Sequence, residues 1–370
     1  MSSGEVAVRG WRLARQRLVA PARTSPAEVV AWLGAVQAQD FAGAKWSIGL
    51  RLPGVTEAEV EAAVDRGELA RGWPLRGTLH LVAAADLRWM TALVAPRVLA
   101  RAAPRFAQLG LTEATVRRSQ AALREALRGG RRLTREEVNA AFTGAGIALG
   151  GQRSIHLLLR AALDGLTCFG PRRGKQHTFV LAEGWLPEGR PLPRTQALGE
   201  LAWRYFRAHG PATSQDFQWW SGLAAADVRE ALAAAGDRLT ASPSDGRPRH
   251  GPRDPGQRGR AGGHHLLPGF DGYLLAYQDR GAVLAPAFAP RLSDGGGILK
   301  PTLVARGQVV GVWRRTLAAH RVEVEATPLE RLGVADRQAF ERAARRYGRF
   351  LGLEARLSWG ASQSGSSARP

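Results

Sequence analysis

The clearest pattern in the chain opens at Ser25. Val29, Leu33 and Val36 recur at i, i+4 and i+7, one apolar stripe along a helix. Ser25 is a good N-cap, Pro26 suits the first helical position, and Glu28 completes an S-x-x-E capping box. The stripe stops at Val36-Gln37-Ala38-Gln39-Asp40. Residues two apart do not share a face of a helix, but in extended backbone they do. If the chain leaves the helix near Ala38, Gln37 and Gln39 converge on one point.

The same reading carries through the chain. Residues 9–19 form a first helix, with Trp11, Ala14 and Leu18 on its apolar line. Thr56 and Glu59 make a capping box for a helix to residue 66; a strand at 68–71, a basic turn at 72–77 and a strand at 78–82 follow. Helix, strand, basic turn, strand is the outline of a winged helix. It recurs in helices at 112–127, 134–145 and 152–163, a strand at 166–169, a basic turn at 170–175 and a return strand at 176–181. A third copy has helices at 198–209 and 224–235. Between them lie a Gly210-Pro211 break and a short helix that Thr213 and Asp216 cap and Trp219-Trp220 end. Its wing starts near Leu239, but residues 242–264 are rich in Pro, Gly and Arg and read as a disordered basic insertion. Beyond it, short strands are expected at 266–268, 273–277, 298–305, 308–317 and 321–325, with a hairpin turn at Arg306-Gly307. A helix at 335–351, a strand at 353–359 and a loose tail at 360–370 complete an α+β chain. The expected modules are 9–105, 106–192, 193–264 and 265–359.

Charge narrows the function. The chain carries 52 basic against 32 acidic residues, a net charge of +20, which attracts polyanions, nucleic acid first and an anionic membrane second. All but Lys45, Lys175 and Lys300 of the basic residues are arginines, a bias that GC-rich coding also favours. No apolar run approaches the roughly 18 residues of a membrane span, and no signal-peptide core opens the chain. A cytoplasmic location without membrane association is expected. The single cysteine, Cys168, excludes an internal disulfide and reads as core. His264-His265 is a poor chelating pair, so no metal is expected, and Gly295-Gly296-Gly297 lacks the Lys-Ser/Thr of a phosphate loop. Clustered acidic residues that would suit a nuclease metal site are missing.

The basic turns supply candidate phosphate contacts in Arg71, Arg76, Arg172, Arg173 and Lys175, and each could equally be a solvated turn residue. His80, in the first return strand, and Lys300 join that DNA-binding set. Trp313-Arg314-Arg315 suits either DNA contact or a sheet wall; Trp219-Trp220 reads as core, and Asp271 as a cap. Gln37 and Gln39 could be ordinary solvated polar residues. Aimed at one spot, two carboxamides could instead hold a water, each offering an acceptor oxygen and two N–H donors.

Six ordered blocks carry a resemblance. They are residues 33–40, 75–82, 163–170, 209–213, 273–280 and 347–352 (LGAVQAQD, LRGTLHLV, LDGLTCFG, HGPAT, YLLAYQDR and YGRFLG). The chain resembles the bacterial winged-helix DNA glycosylases of the AlkZ type, from about residue 9 to 357. The resemblance implies three tandem winged helices around a DNA-binding concavity and a C-terminal β-barrel. It implies a monofunctional enzyme without cofactor, acting as a monomer on double-stranded DNA with alkylated or crosslinked guanines, including crosslinks of the azinomycin B type in antibiotic self-resistance. It places the Gln-aliphatic-Gln catalytic signature on Gln37, Ala38 and Gln39, with Asp40 and Lys45 as auxiliary candidates. Relatives carry an acidic residue where this chain has Gly272. The competing class is a non-catalytic tandem winged-helix regulator, which would have no use for the glutamine pair.

Overall fold

The computed structural model describes residues 3–360, apart from 22–23, 190–191, 243–246, 255, 257–258, 260, 294 and 296–298. The expected tail beyond Gly360, part of the basic insertion and the start of the strand expected at 298 lie outside the described residues. The chain divides into two compact units: residues 1–61, 203–220 and 237–370, and residues 62–202 and 221–236.

The first unit begins with helices Ser3–Arg15, Pro26–Leu33 and Phe41–Gly49. Ser25 and Glu28 form the expected capping box. The helix ends earlier than the apolar stripe suggested. Gly34 follows Leu33 with φ 81°, a conformation that L side chains rarely adopt, and its Cα faces the Trp220 ring. The backbone then extends at Val36–Gln37.

The C-terminal part of this unit is a five-stranded sheet in the order Glu354–Trp359, Arg321–Pro328, Gln308–Leu317, Thr302–Ala305, His264–Leu267. The first pair is parallel and the others antiparallel. The expected barrel is corrected to an open sheet. Its edge strands do not pair with each other, and helix Val334–Leu351 packs against both of them, filling the face where closure would occur. The helix brings Tyr347 and Phe350 against Trp46, and Tyr347 against Trp313, in one buried aromatic cluster. Arg306 and Gly307, both at positive φ, make the expected hairpin turn.

Two further expectations change. Residues 273–277, read as a strand, begin with the short helix Gly272–Leu275, because the Asp271 carboxylate accepts the Tyr273 N–H at its N-terminus. The run is buried on every side, so apolar period was no guide there. The insertion expected to be disordered contributes a strand: Leu239–Ser242 pairs with Arg249–Pro252 in an antiparallel hairpin.

The second unit holds two hairpins, Leu69–Leu75 with Thr78–Ala83 and Thr167–Arg173 with Gln176–Leu181, joined through Arg71 opposite Phe169. Leu133–Thr134 pairs with the outer side of the second hairpin. Helices Glu113–Ala126, Arg135–Gly144 and Arg153–Leu163 precede that hairpin as expected, and Thr134 and Glu137 form a capping box at the start of the second. Helix Ala84–Gln108 connects the first hairpin to these helices, so the module border expected after residue 105 runs through its last turn.

Candidate active site

The site is built where the Pro26–Leu33 helix stops. A helix leaves its last carbonyls without partners. Here the far helix Arg194–His209 supplies them. Arg207 Nη2 donates to the carbonyls of Ala31 and Trp32, each at 3.3 Å, and His209 Nε2 donates to the carbonyl of Leu33 at 3.1 Å. The Arg207 and Arg17 guanidiniums both stack on Trp32, at 4.4 and 4.2 Å from its ring centroid. Burial, with smaller contributions from neighbouring charges, pushes His209 down to about 4, so the ring is neutral and its proton sits on the nitrogen facing Leu33.

Beyond this fixed turn, the Gln37 Nε2–H donates to Gln39 Oε1. Ala38, between them, is buried, while Gln39 and Asp40 are exposed. The pair therefore converges, through an exit from the helix at Gly34 and not near Ala38. Gln39 Oε1 keeps a second lone pair for a water hydrogen, and its amide N–H groups lie on the exposed side chain.

Under the motif lies a buried polar network. Arg51 forms a two-pronged ion pair with Asp271, Nη1 to Oδ2 and Nη2 to Oδ1, both 2.8 Å. Ser47 Oγ donates to the same carboxylate at 2.5 Å. Arg51 also donates to the Gln16 carbonyl at 2.9 Å and to Gln16 Oε1 at 3.2 Å; Gln16 Nε2 donates to Tyr277 Oη, which donates to the His209 carbonyl at 2.8 Å. The chain of contacts thus runs from the Asp271 helix cap to the residue that holds Leu33. Desolvation works against the Asp271 carboxylate, but Arg51, Ser47 and the Tyr273 amide together hold it below the usual range. Of this network only Asp271 stood out in the sequence, as a cap. Arg51, Ser47 and Gln16 sit in otherwise ordinary amphipathic segments, and His209 and Arg207 carried no local signal beyond the resemblance block at 209–213. A side chain at Gly272 would meet His209 and Gln16 at ordinary van der Waals distance, 3.5 and 3.6 Å, so the glycine is not forced by space.

The auxiliary candidates divide. Asp40 occupies the N-cap position of Phe41–Gly49 but its side chain makes no capping hydrogen bond. Lys45 is 3% exposed and its ammonium is engaged by Glu57 at 2.8 Å and by Glu61.

Among the basic candidates, Arg71 and His80 are corrected. Both are buried, Arg71 with its guanidinium 4.6 Å over the Phe169 ring, so neither is presented to a ligand. Burial, helped by Arg172, lowers Arg71 to about 10. Burial and the charge of Arg76 push His80 down to about 3. The wing-tip pattern missed this because a strand residue next to a turn can point either way. Arg76 sits at the first hairpin tip, with φ 55°. Arg173 is exposed and pairs with Glu137 at 2.7 Å; Arg172 is half-buried and Lys175 exposed. Arg314 is exposed and pairs with Glu325 at 2.6 Å, Arg315 donates to Tyr347 Oη, and Lys300 is half-exposed. Trp313 is sheet wall, its indole N–H on the Leu267 carbonyl at 2.9 Å, and Trp220 is core, whereas Trp219 is 43% exposed.

Other chemistry is thin. Cys168 is buried, and burial raises its thiol to about 12, far from a reactive thiolate. His264 is taken by Asp336 at 2.8 Å and His265 is buried. Among the described residues no three His, Cys, Asp or Glu side chains gather to hold a metal ion, and no helix is long and apolar enough to cross a membrane.

The three buried histidines have a consequence for stability. His80, His209 and His265 have folded values near 3, 4 and 4, below the ordinary 6.5. The unfolded chain therefore binds protons first as pH falls. Their contribution is intact above pH 6.5 and is lost as pH drops from there towards 4, at up to about 1.4 kcal/mol per pH unit for each ring. Thermal melts between pH 7.5 and 5 will show a falling midpoint; a flat midpoint would mean that these rings titrate in the fold as they do in the unfolded chain.

Comparison with known proteins points to one group. The family model described as DNA glycosylase AlkZ-like matches residues 30–350. An interstrand DNA cross-link repair glycosylase of Streptomyces sahachiroi is 29% identical over 322 residues, covering 82% of this chain and 85% of that protein. The solved structure of Streptomyces sahachiroi DNA glycosylase AlkZ superposes with a TM-score of 0.77 at 27% identity, covering 96% of this chain and 100% of that one. The chain is a DNA N-glycosylase. It belongs to the AlkZ-like family.

Proposed function

We propose that the enzyme hydrolyses the N-glycosidic bond of N7-alkylated guanines in duplex DNA, and unhooks interstrand crosslinks whose two ends are both such guanines. The observation that carries this is the hydrogen bond from Gln37 to Gln39 at an exposed position. Glycosidic cleavage passes through an oxocarbenium-like state, beside which ordinary hydrolases place two carboxylates. An N7-alkylguanine is already cationic and leaves as a neutral base without a general acid. What remains is to position water and tolerate positive charge on the sugar. Amide oxygens can do both, so Gln39 is the main water-positioning group and Gln37 holds Gln39 in place. An amide is too weak a base to activate water for normal nucleosides, which restricts the chemistry to labile cationic lesions. The crosslink specificity is supported by the relative whose name carries that activity.

The helix-and-hairpin units support a reading as tandem winged helices, with Arg76, Arg172, Arg173, Lys175, Lys300, Arg314 and Arg315 as backbone contacts of a monomer on DNA. The mechanism is hydrolytic throughout. Lys45 is engaged by Glu57 and Glu61 and is not presented as a free amine, so borohydride will trap no covalent enzyme–DNA adduct; a trapped adduct would establish a lyase step. The direct test is single-turnover release of N7-methylguanine from a methylated duplex, beside unhooking of an N7–N7 crosslinked duplex. Tight binding with release from neither would overturn the N7-alkylguanine reading.

A further inference from the structure

A cavity of about 340 Å³ in the second unit is lined by Arg76, Arg97, Arg101, Arg194 and a single carboxylate, Asp227. Asp227 is spent on Arg194, at 2.6 Å. Arg97 and Arg101 lie one turn apart on helix Ala84–Gln108 and so share a face. Like charges at that spacing oppose each other, and among the described residues neither pairs with a carboxylate. Arg97 is nonetheless held: its Nε donates to the Gly222 carbonyl at 2.9 Å, and the fork has its two terminal nitrogens left as donors. Arg76 is brought to the same place by the hairpin tip, where it and Gly77 both have positive φ. Gly222 makes room for it, since a Cβ there would stand 2.7 Å from Arg76 Cγ. Three guanidiniums from a fixed turn and a rigid helix, around a hollow without a free counter-charge, suit an oxyanion.

We infer that this cavity is a phosphate site for duplex DNA, in which Arg97 and Arg101, with Arg76 at the rim, hold one backbone phosphodiester away from the glutamine motif. The site anchors the duplex and takes no part in bond cleavage. It rests on the reading that the substrate is duplex DNA.

The test uses the full chain and a fluorescent undamaged duplex, with affinity measured over a series of salt concentrations. Arg97→Gln/Arg101→Gln will weaken binding about five- to tenfold at moderate salt and lower the slope of log affinity against log salt by about 0.9, one phosphate contact. Arg101→Gln alone, at an exposed side chain with no partner among the described residues, will lower affinity in the same direction and keeps the test valid if the double variant folds poorly. Single-turnover base release at saturating enzyme will stay within about twofold of wild type, because the reacting groups are untouched. Arg117→Gln/Arg118→Gln, which removes the same charge from helix Glu113–Ala126, is the control. Equal losses in the control and the test variant, or an unchanged slope in the test variant, would overturn the site. Wild-type base release is read separately: if it is absent while the slope still falls, the N7-alkylguanine reading fails and the phosphate site stands.

Discussion

Gln39→Ala will lower the single-turnover rate of N7-methylguanine release by about 100-fold or more, the range found when a positioned catalytic group is removed. Duplex affinity will stay within about twofold, because Gln39 is one exposed neutral side chain in a protein of net charge +20. Gln37→Ala will cost less, since its visible role is to donate to Gln39 Oε1 and so fix the orientation of that amide. Gln39→Glu is the more informative companion. A carboxylate keeps the acceptor oxygens and adds a base, so it should retain more activity than alanine. If Gln39→Ala releases base at the wild-type rate, the water is positioned elsewhere and Asp40, exposed and without a capping bond, becomes the next residue to test.

Arg51→Met will destabilise the fold by about 3–5 kcal/mol, the range for breaking a buried pair and leaving its partner charged. Both side chains are almost fully buried, and the change strands the Asp271 carboxylate beside Ser47. It also removes three hydrogen bonds to Gln16 and Ser47. Thermal unfolding and urea midpoints read the effect directly. A double change, Arg51→Met with Asp271→Asn, will recover part of the loss because no buried charge remains. If the single variant melts within a degree of wild type, the pair is not the support described here. A catalytic readout separates the two predictions: Arg51→Met lowers activity in step with the folded fraction, whereas Gln39→Ala leaves the melting point unchanged.

The sequence showed those features that local chemistry decides. Capping boxes at Ser25 and Thr56 and the hairpin turns at Arg76-Gly77 and Arg306-Gly307 follow from residues three or fewer apart, and the structure has them. The glutamine pair was visible for the same reason, as two side chains two residues apart in extended backbone. What was hidden depends on distant partners. Arg51 and Asp271 are 220 positions apart, and Leu33 and His209 are 176 apart. Neither member of either pair announces the other. Arg71 and His80 were misjudged because charge at a turn suggests exposure, while a neighbouring aromatic such as Phe169 can draw a guanidinium inward. The 273–277 strand failed because a segment buried all round has no polar face to reveal its period.

The glutamines and their supports come from two separate stretches of the chain: Gln16 to Arg51 from one, Arg207 to Tyr277 from the other. Residues 62–202 fall in the other compact unit. For recombination this makes the chain a frame with a cassette in it. A single crossover within the cassette joins a helix end from one parent to its carbonyl-capping arginine and histidine from another. Two crossovers that flank it exchange the hairpin arginines and leave the glutamine pair and its supports as a matched set. Chimeras between this chain and its Streptomyces relative should divide along that line, the double exchanges keeping their fold where the single ones lose it.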